Sequence, residues 1–97
     1  MDGYRKAAEE GDVEAQFELG WCYFHGIVIS KDKTMGIKWI RKAAENGSKS
    51  AICELGTCYL EGDGIAQDKM EAVKWLLKAS EKGSTSSDYY LRKLSGR

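Results

Sequence analysis

The chain has 97 residues, of which 42% are hydrophobic and 31% are charged. This length fits one domain, and this balance excludes an intrinsically disordered chain, which would be poorer in apolar residues. Basic and acidic side chains number 15 each, so no overall charge directs the protein to nucleic acid or to anionic lipid.

The charges are nonetheless unevenly distributed along the chain. Residues 1–25 contain six acids and two bases, whereas residues 26–50 contain six bases and two acids. The simpler interpretation is a set of solvated helix faces. The alternative is an acidic edge that meets a basic partner, formed by Glu9, Glu10, Asp12, Glu14 and Glu18.

The sequence contains neither a predicted membrane-spanning segment nor a recognisable secretory signal. No apolar run approaches the roughly 20 residues that span a bilayer, and the N-terminus lacks the apolar core of a secretory signal. Three cysteines are an odd count for a disulfide framework. We expect a reducing, cytoplasmic location, with Cys22 and Cys58 as small buried apolar residues.

A 36-residue repeat dominates the chain. Residues 11–46 align with residues 47–82 without a gap, and 16 of the 36 positions are identical. Such a period is typical of stacked-repeat proteins, in which each unit packs only on its neighbours. We therefore expect a partial unit over 1–10, complete units over 11–46 and 47–82, and a capping helix over 83–97.

The first element in the chain is the end of a helix. Residues 6–11 match residues 42–47 at all but one position, so the chain opens within a helix of the second type in each unit.

The first helix of each complete unit begins after a polar N-cap residue, Asp12 in one copy and Ser48 in the other. Gly20 and Gly56 then interrupt these helices at the same phase, which predicts close approach of a neighbouring helix. The apolar face of each helix follows helical spacing. Its members are Ala15, Leu19, Cys22 and Tyr23 in one copy, and Ala51, Leu55, Cys58 and Tyr59 in the other.

The second helix of each unit follows an aspartate. Asp32 and Asp68 are the expected N-caps. Glu71 follows Asp68 at the spacing of a capping box, whereas Met35 stands at that position after Asp32. The cap at Asp32 is therefore expected to be the weaker of the two. Trp39 and Trp75 recur in phase and are predicted to pack one unit on the next. A glycine follows each of these helices, at Gly47 and Gly83.

The last helix is predicted to start at Ser84. Arg92 stands there at the position of the helix glycine, and Ser95 stands at the position of the tyrosine. A bulky charge is compatible with an end that no further helix covers. The sequence thus predicts six helices.

The assembled motif resembles the Sel-one-like repeat (SLR), a relative of the tetratricopeptide repeat. In the second copy it comprises Ala51, Leu55-Gly56, Tyr59, Gly62-Asp63-Gly64-Ile65, Asp68, Ala72, Trp75, Lys78-Ala79 and Gly83. The period of 36, the loop glycines and the aspartate before the second helix favour the SLR over the 34-residue tetratricopeptide unit, which usually carries a proline between units. The first copy departs from the pattern at Val28, in place of the second loop glycine, and at Gly36, in place of alanine.

The resemblance implies an all-α fold, a right-handed α–α superhelix of antiparallel helix pairs. It also implies binding of another protein or peptide. Three cysteines and one histidine lack the paired short spacings of a zinc site, so neither metal nor cofactor is expected. Members occur in bacterial host-interaction proteins and in eukaryotic membrane-protein degradation complexes. Some bacterial members carry disulfides between paired helices. Ala44 and Ser80 occupy one of the usual cysteine positions here, so no such disulfide is expected.

In such solenoids the first helices line the concave surface, and residues off their core face form the expected groove. These residues are Glu14, Phe17, Glu18, Trp21, Phe24 and His25, then Cys53, Glu54, Thr57, Leu60 and Glu61, then Tyr89, Tyr90 and Lys93. Packing on adjoining helices is the alternative for Phe17 and Phe24, as is end-capping for the two tyrosines. Trp21, whose counterpart is the polar Thr57, is a candidate anchor for a partner.

Catalysis is not expected. His25 is the only histidine, its counterpart is Glu61, and no third group orients it toward a nucleophile. Residues 62–64 indicate a turn, because the remaining ligands of a phosphate or calcium loop are missing. Basic residues around Lys38 are interrupted by Glu45, so nucleic-acid binding is not expected.

The leading hypothesis is a non-catalytic adaptor or scaffold module that holds a partner in the groove. Trp21, Phe24 and Tyr89 would be the apolar anchors, and Glu14, Glu18 and Lys93 would set the orientation. The alternative is a small bacterial immunity-type inhibitor that blocks a cognate toxin enzyme, with the acidic edge imitating an RNA backbone. The oligomeric state stays open.

Overall fold

A computed structural model describes residues 2–94 and residue 96, and the expectations for Ser95 and for the two terminal residues lie outside this range. The described part contains six α-helices and no strand. They are α1 (Asp2–Glu9), α2 (Val13–His25), α3 (Lys33–Glu45), α4 (Lys49–Glu61), α5 (Lys69–Glu81) and α6 (Thr85–Leu94). The predicted all-α architecture is confirmed.

Each helix packs against the next helix in the chain, and α4 also contacts α6. The molecule measures 44 × 24 × 17 Å, so the helix pairs are stacked along one axis. Packing between sequence neighbours and an elongated shape define an α-solenoid. The buried core follows the apolar faces of the repeat, with Leu19, Ile40, Leu55 and Leu76 fully enclosed.

The predicted N-caps all form. The side chains of Asp12, Asp32 and Asp68 and the hydroxyl of Ser48 each accept a hydrogen bond from the backbone N–H three residues on, at 3.0 to 3.1 Å. Each bond satisfies one N–H that the first helical turn leaves without a partner. The turns after α3 and α5 contain Gly47 and Gly83 at positive φ, as expected.

The capping box predicted at Asp68 is wrong. The Asp68 N–H donates to the carbonyl of Tyr59 at 2.9 Å, so Glu71 has no N-cap donor to accept from. Asp32 makes the equivalent bond to Tyr23 at 2.8 Å. Because both loops fold back on the preceding helix in the same way, the two caps are equivalent, and the weaker cap expected at Asp32 is not found.

Glycines set the distance between the two helices of the first unit. A Cβ atom on Gly20 would lie 2.7 Å from Ile40 Cγ1 and 2.9 Å from the carbonyl oxygen of Gly36. A Cβ atom on Gly36 would lie 2.8 Å from the backbone nitrogen of Phe24. In the second unit Gly56 packs in the same way against Leu76. The close approach predicted from the helix glycines is confirmed, and Gly36 extends it to α3.

A hydrogen bond between consecutive units recurs with the period of the repeat. Arg5 donates to the hydroxyl of Tyr23 at 3.0 Å, and Arg41 donates to the hydroxyl of Tyr59 at 2.6 Å. Each bond joins the second helix of one unit to the first helix of the next. The comparison of residues 11–46 with 47–82 missed it, because Arg5 precedes the aligned range and Arg41 aligns with a leucine.

A buried polar contact joins the first three helices. Gln16 is fully buried, donates to the carbonyl of Ala8 at 3.1 Å, and accepts from the side-chain amide of Asn46 at 3.1 Å. The second unit has Ile52 at the position of Gln16, so this contact belongs to one layer alone. Its buried polar atoms are satisfied by partners, as stability requires.

The final helix is held as an end cap. Ser84 accepts from the Ser87 N–H at 3.2 Å, and the Ser80 hydroxyl donates to Asp88. Ser87, which stands at the position of Ala15 and Ala51, is fully buried. The predicted helix start at Ser84 is therefore confirmed.

Candidate functional site: the first-helix face

Helices α2, α4 and α6, the first helices of successive units, share one side of the solenoid. We call their exposed and half-buried side chains the first-helix face. Phe17 of α2, Cys53 and Glu54 of α4, and the turn into α6 surround one open cavity of about 310 Å³. Helices α3 and α5 border a separate groove that contains Ala44 and Trp75.

An aromatic ladder runs along α2. The rings of Phe17 and Trp21 are 5.8 Å apart, and those of Trp21 and His25 are 4.2 Å apart. Phe17 and Trp21 are half-buried and His25 is exposed. Their spacing of four residues places them on one side of the helix. The planes of neighbouring rings are tilted by 46° and 49°, and Phe17 also packs against the core, so Trp21 and His25 are the more accessible part of the ladder.

Phe24 does not belong to this ladder. Its side chain is 3% exposed and lies in the core cluster with Ile37 and Ile40. Gly64 of the next unit packs against its ring, because a Cβ there would be 3.0 Å from Phe24 Cε2. The expectation that Phe24 anchors a partner is wrong, since the neighbouring loop already covers the ring.

On α4 the first-helix face is acidic. Burial raises the pKa of Glu54, and the nearby Glu61 and Asp63 carboxylates raise it further. Glu54, Thr57 and Leu60 are half-buried, whereas Glu61 is exposed. The Thr57 hydroxyl donates to the Glu54 carbonyl at 2.9 Å, so it is used within the helix.

On α6 two tyrosines meet edge to face, with ring centroids 5.4 Å apart. Tyr89 is 59% exposed, whereas Tyr90 is half-buried. Burial raises the pKa of the Tyr90 hydroxyl, and Glu61 adds to the rise. Lys93 is exposed one helical turn after Tyr89. Tyr90 thus adjoins the acidic part of α4.

The predicted residues do not all share one site. Phe17, Cys53 and Glu54 line one cavity. Glu14 instead lines a second cavity at the N-terminal end, with Tyr4 and Ala7. Glu18 is half-buried on α2, and its charge raises the pKa of Cys22 after the larger effect of burial.

The cavity also contains residues that the sequence did not indicate. These are Lys49 and Ser50 at the start of α4, and residues 83–86 at the turn into α6. No local pattern marks them, since their meeting depends on how the second unit stacks on the first. Of these lining residues, only Ser84 carried a signal in the sequence, as the predicted start of the last helix.

The thiols of Cys22 and Cys58 are not activated, because burial raises the pKa of both. Cys22, Cys53 and Cys58 are unpaired, and burial raises the pKa of Cys58 to about 12. A reactive cysteine has a lowered pKa instead. Cys58 is buried as predicted, whereas Cys22 is half-buried. Within residues 2–94 and residue 96, no three metal-ligating side chains come together.

The repeat also matches a known protein family. The family model of the Sel1 repeat fits residues 4–12, 13–48 and 49–84. The chain belongs to the Sel1 repeat family. Sel1 repeats generally serve as scaffolds for protein–protein interaction and are typically non-catalytic. Among curated protein sequences, none matches the chain.

Solved structures of Sel1 proteins superpose closely. A Sel1 repeat protein from Oxalobacter formigenes is 35% identical, with a TM-score of 0.93 over 97% of the chain. The c5321 protein, a protective antigen of uropathogenic Escherichia coli with an SLR fold, is 40% identical, with a TM-score of 0.86 over 90% of the chain. Helicobacter pylori cysteine-rich protein B is 25% identical, with a TM-score of 0.84 over 90% of the chain.

The chain spans part of each of these relatives: 27% of the Oxalobacter protein, 19% of c5321 and 65% of the Helicobacter protein. In the described part of the chain, no helix has the length and apolar character needed to cross a bilayer.

Proposed function

We propose that the chain is a non-catalytic interaction module that binds an extended segment of another protein on its first-helix face. The aromatic ladder of Phe17, Trp21 and His25 carries this proposal. Trp21 keeps part of its ring accessible between two aromatic neighbours, and half-buried aromatic residues are common among binding hot spots. Tyr89 offers a further exposed ring on α6.

The geometry also suits an extended partner. The ladder follows α2, and the cavity beside Phe17 continues across α4 to the start of α6. A segment that crosses the three helices would contact each first helix in turn. No described contact favours inhibition of a toxin, and the names of the matched structures do not mention it.

Site-specific photo-crosslinking tests the proposal. A photoreactive amino acid at Thr57 reports contacts on the first-helix face, and one at Leu77, which is half exposed on α5, is the matched control. A partner captured at Thr57 but not at Leu77 is then made recombinantly and its affinity measured.

The double variant Trp21→Ala and Tyr89→Ala should weaken binding of that partner by at least about tenfold, because truncation of aromatic anchors removes much of the binding energy. Leu77→Ala should leave the affinity unchanged. Circular dichroism establishes that both proteins stay helical. Unchanged affinity in a folded double variant would refute the assignment of this face.

A further inference from the structure

The balanced overall charge conceals central helices of opposite sign. Helix α2 contains Glu14 and Glu18 and no lysine or arginine, and α4 contains Glu54 and Glu61 against Lys49. The second helices are basic instead. Helix α3 has Lys33, Lys38, Arg41 and Lys42 against Glu45, and α5 has Lys69, Lys74 and Lys78 against Glu71 and Glu81. The four central helices, α2 to α5, therefore alternate in sign, whereas α6 carries Arg92 and Lys93 against Asp88 and α1 has as many bases as acids.

Among residues 2–94, no ion pair neutralises Glu54 or Glu61 on the first-helix face. The ion pairs among the described residues join Lys33 to Asp63 at 2.5 Å and Lys74 to Glu71 at 3.9 Å, and neither includes Glu54 or Glu61. Lys49 lines the same cavity as Glu54 but forms no ion pair with it. A carboxylate that is partly removed from water and lacks a cation carries an electrostatic cost.

The rings around Glu54 favour a cation as well. Phe17 borders the same cavity, and the Glu54 and Glu61 charges both act on the Tyr90 hydroxyl. A lysine or arginine side chain gains from a carboxylate and from an aromatic face at once, and its methylene groups can cover apolar surface. An acidic or phosphorylated segment would meet repulsion at the same place.

On the basis of the proposed function, we infer that the partner segment is basic and that one of its lysine or arginine side chains pairs with Glu54 beside Phe17, in the cavity that both residues line. Glu61 extends the acidic surface by nearly two helical turns along α4, so a second cation can follow.

Three fluorescent peptides of equal length test this inference. Each alternates leucine with one polar residue, which is lysine, glutamine or glutamate. Fluorescence anisotropy at low ionic strength should show the lysine peptide binding at least about tenfold more tightly than the other two. Salt near 0.5 M should remove most of this preference, because screening shortens the range of exposed charges.

Glu54→Gln should weaken binding of the lysine peptide by about three- to tenfold, since the side chain keeps its shape and loses its charge. Glu45→Gln is the matched control. It removes the same charge from an exposed position on α3 and should leave the affinity unchanged within about twofold. Melting curves establish that both variants are folded.

Equal binding of the lysine and glutamine peptides would overturn the inference. So would an equal loss of affinity in the two variants, because a nonspecific effect of net charge would then explain it. If none of the peptides binds, the basic-segment inference is also wrong. The crosslinking comparison of Thr57 with Leu77 tests the face itself, so the two failures are distinguishable.

Discussion

Val28→Gly should stabilise the protein although it deletes an apolar side chain. Val28 has φ of 71°, and it is the one non-glycine residue at positive φ in the described part of the chain. The equivalent residue of the second loop is Gly64, with φ of 78°. Val28 thus adopts a backbone conformation that suits glycine, although valine is β-branched. This is one of the two positions at which the first copy departs from the SLR pattern.

The expected gain follows from three contributions. The left-handed conformation costs an L-residue about 1–2 kcal/mol. The Val28 side chain is 82% exposed, so its removal forfeits little burial. Glycine also has more conformational freedom in the unfolded chain, and this offsets about 0.5–1 kcal/mol of the gain. The net gain is about 0.5–1 kcal/mol, or roughly 2–6 °C in melting temperature for a domain of this size.

Thermal and urea unfolding followed by circular dichroism measures this change. The reciprocal variant Gly64→Val should lose stability, because it adds the strain and also drives a Cβ to 3.0 Å from Phe24 Cε2 and 3.3 Å from Ile37 Cγ1. A Val28→Gly protein that melts at or below the temperature of the parent would refute the reasoning, since the loop would then carry no strain at Val28.

Two further variants test the packing and the electrostatics. Gly20→Ala should destabilise the protein by about 1–3 kcal/mol in urea unfolding, because the clash with Ile40 and with the Gly36 carbonyl exceeds the roughly 1 kcal/mol that alanine gains in a helix; an increase in stability would contradict the close approach. Glu54→Gln should raise the melting temperature near neutral pH. Burial and Glu61 raise the pKa of Glu54 in the folded state, so the stability that its protonated form provides is present at low pH and is lost as pH rises through that pKa. The difference from the parent should therefore shrink as the pH falls toward the ordinary glutamate range. A constant difference at all pH values would show that charge is not the cause.

Of the expected partner anchors, Phe24 is excluded by its burial, whereas Trp21 and Tyr89 stay predictions. Helical spacing put Phe17, Trp21 and Phe24 off the main core face, and it could not decide which of them stays accessible. The following unit decides this, because its loop covers Phe24 with Gly64. Trp21 stays half-buried, in contact with Phe17 and His25. Which aromatic ring stays accessible depends on the rotation between stacked units, and the spacing of residues along the chain does not specify that rotation.

The sequence by itself determined the repeat, the six helices, their N-caps and the helix glycines, because these depend on spacing along the chain and on short-range backbone hydrogen bonds. The tertiary structure alone decided the recurring arginine–tyrosine bonds, the cavity between Phe17, Glu54 and the turn into α6, and the burial of Phe24 under the next loop. Those features join residues that are distant in sequence. Their positions follow from how each unit packs on the next, and in that packing apolar burial and close helix approach outweigh any local preference.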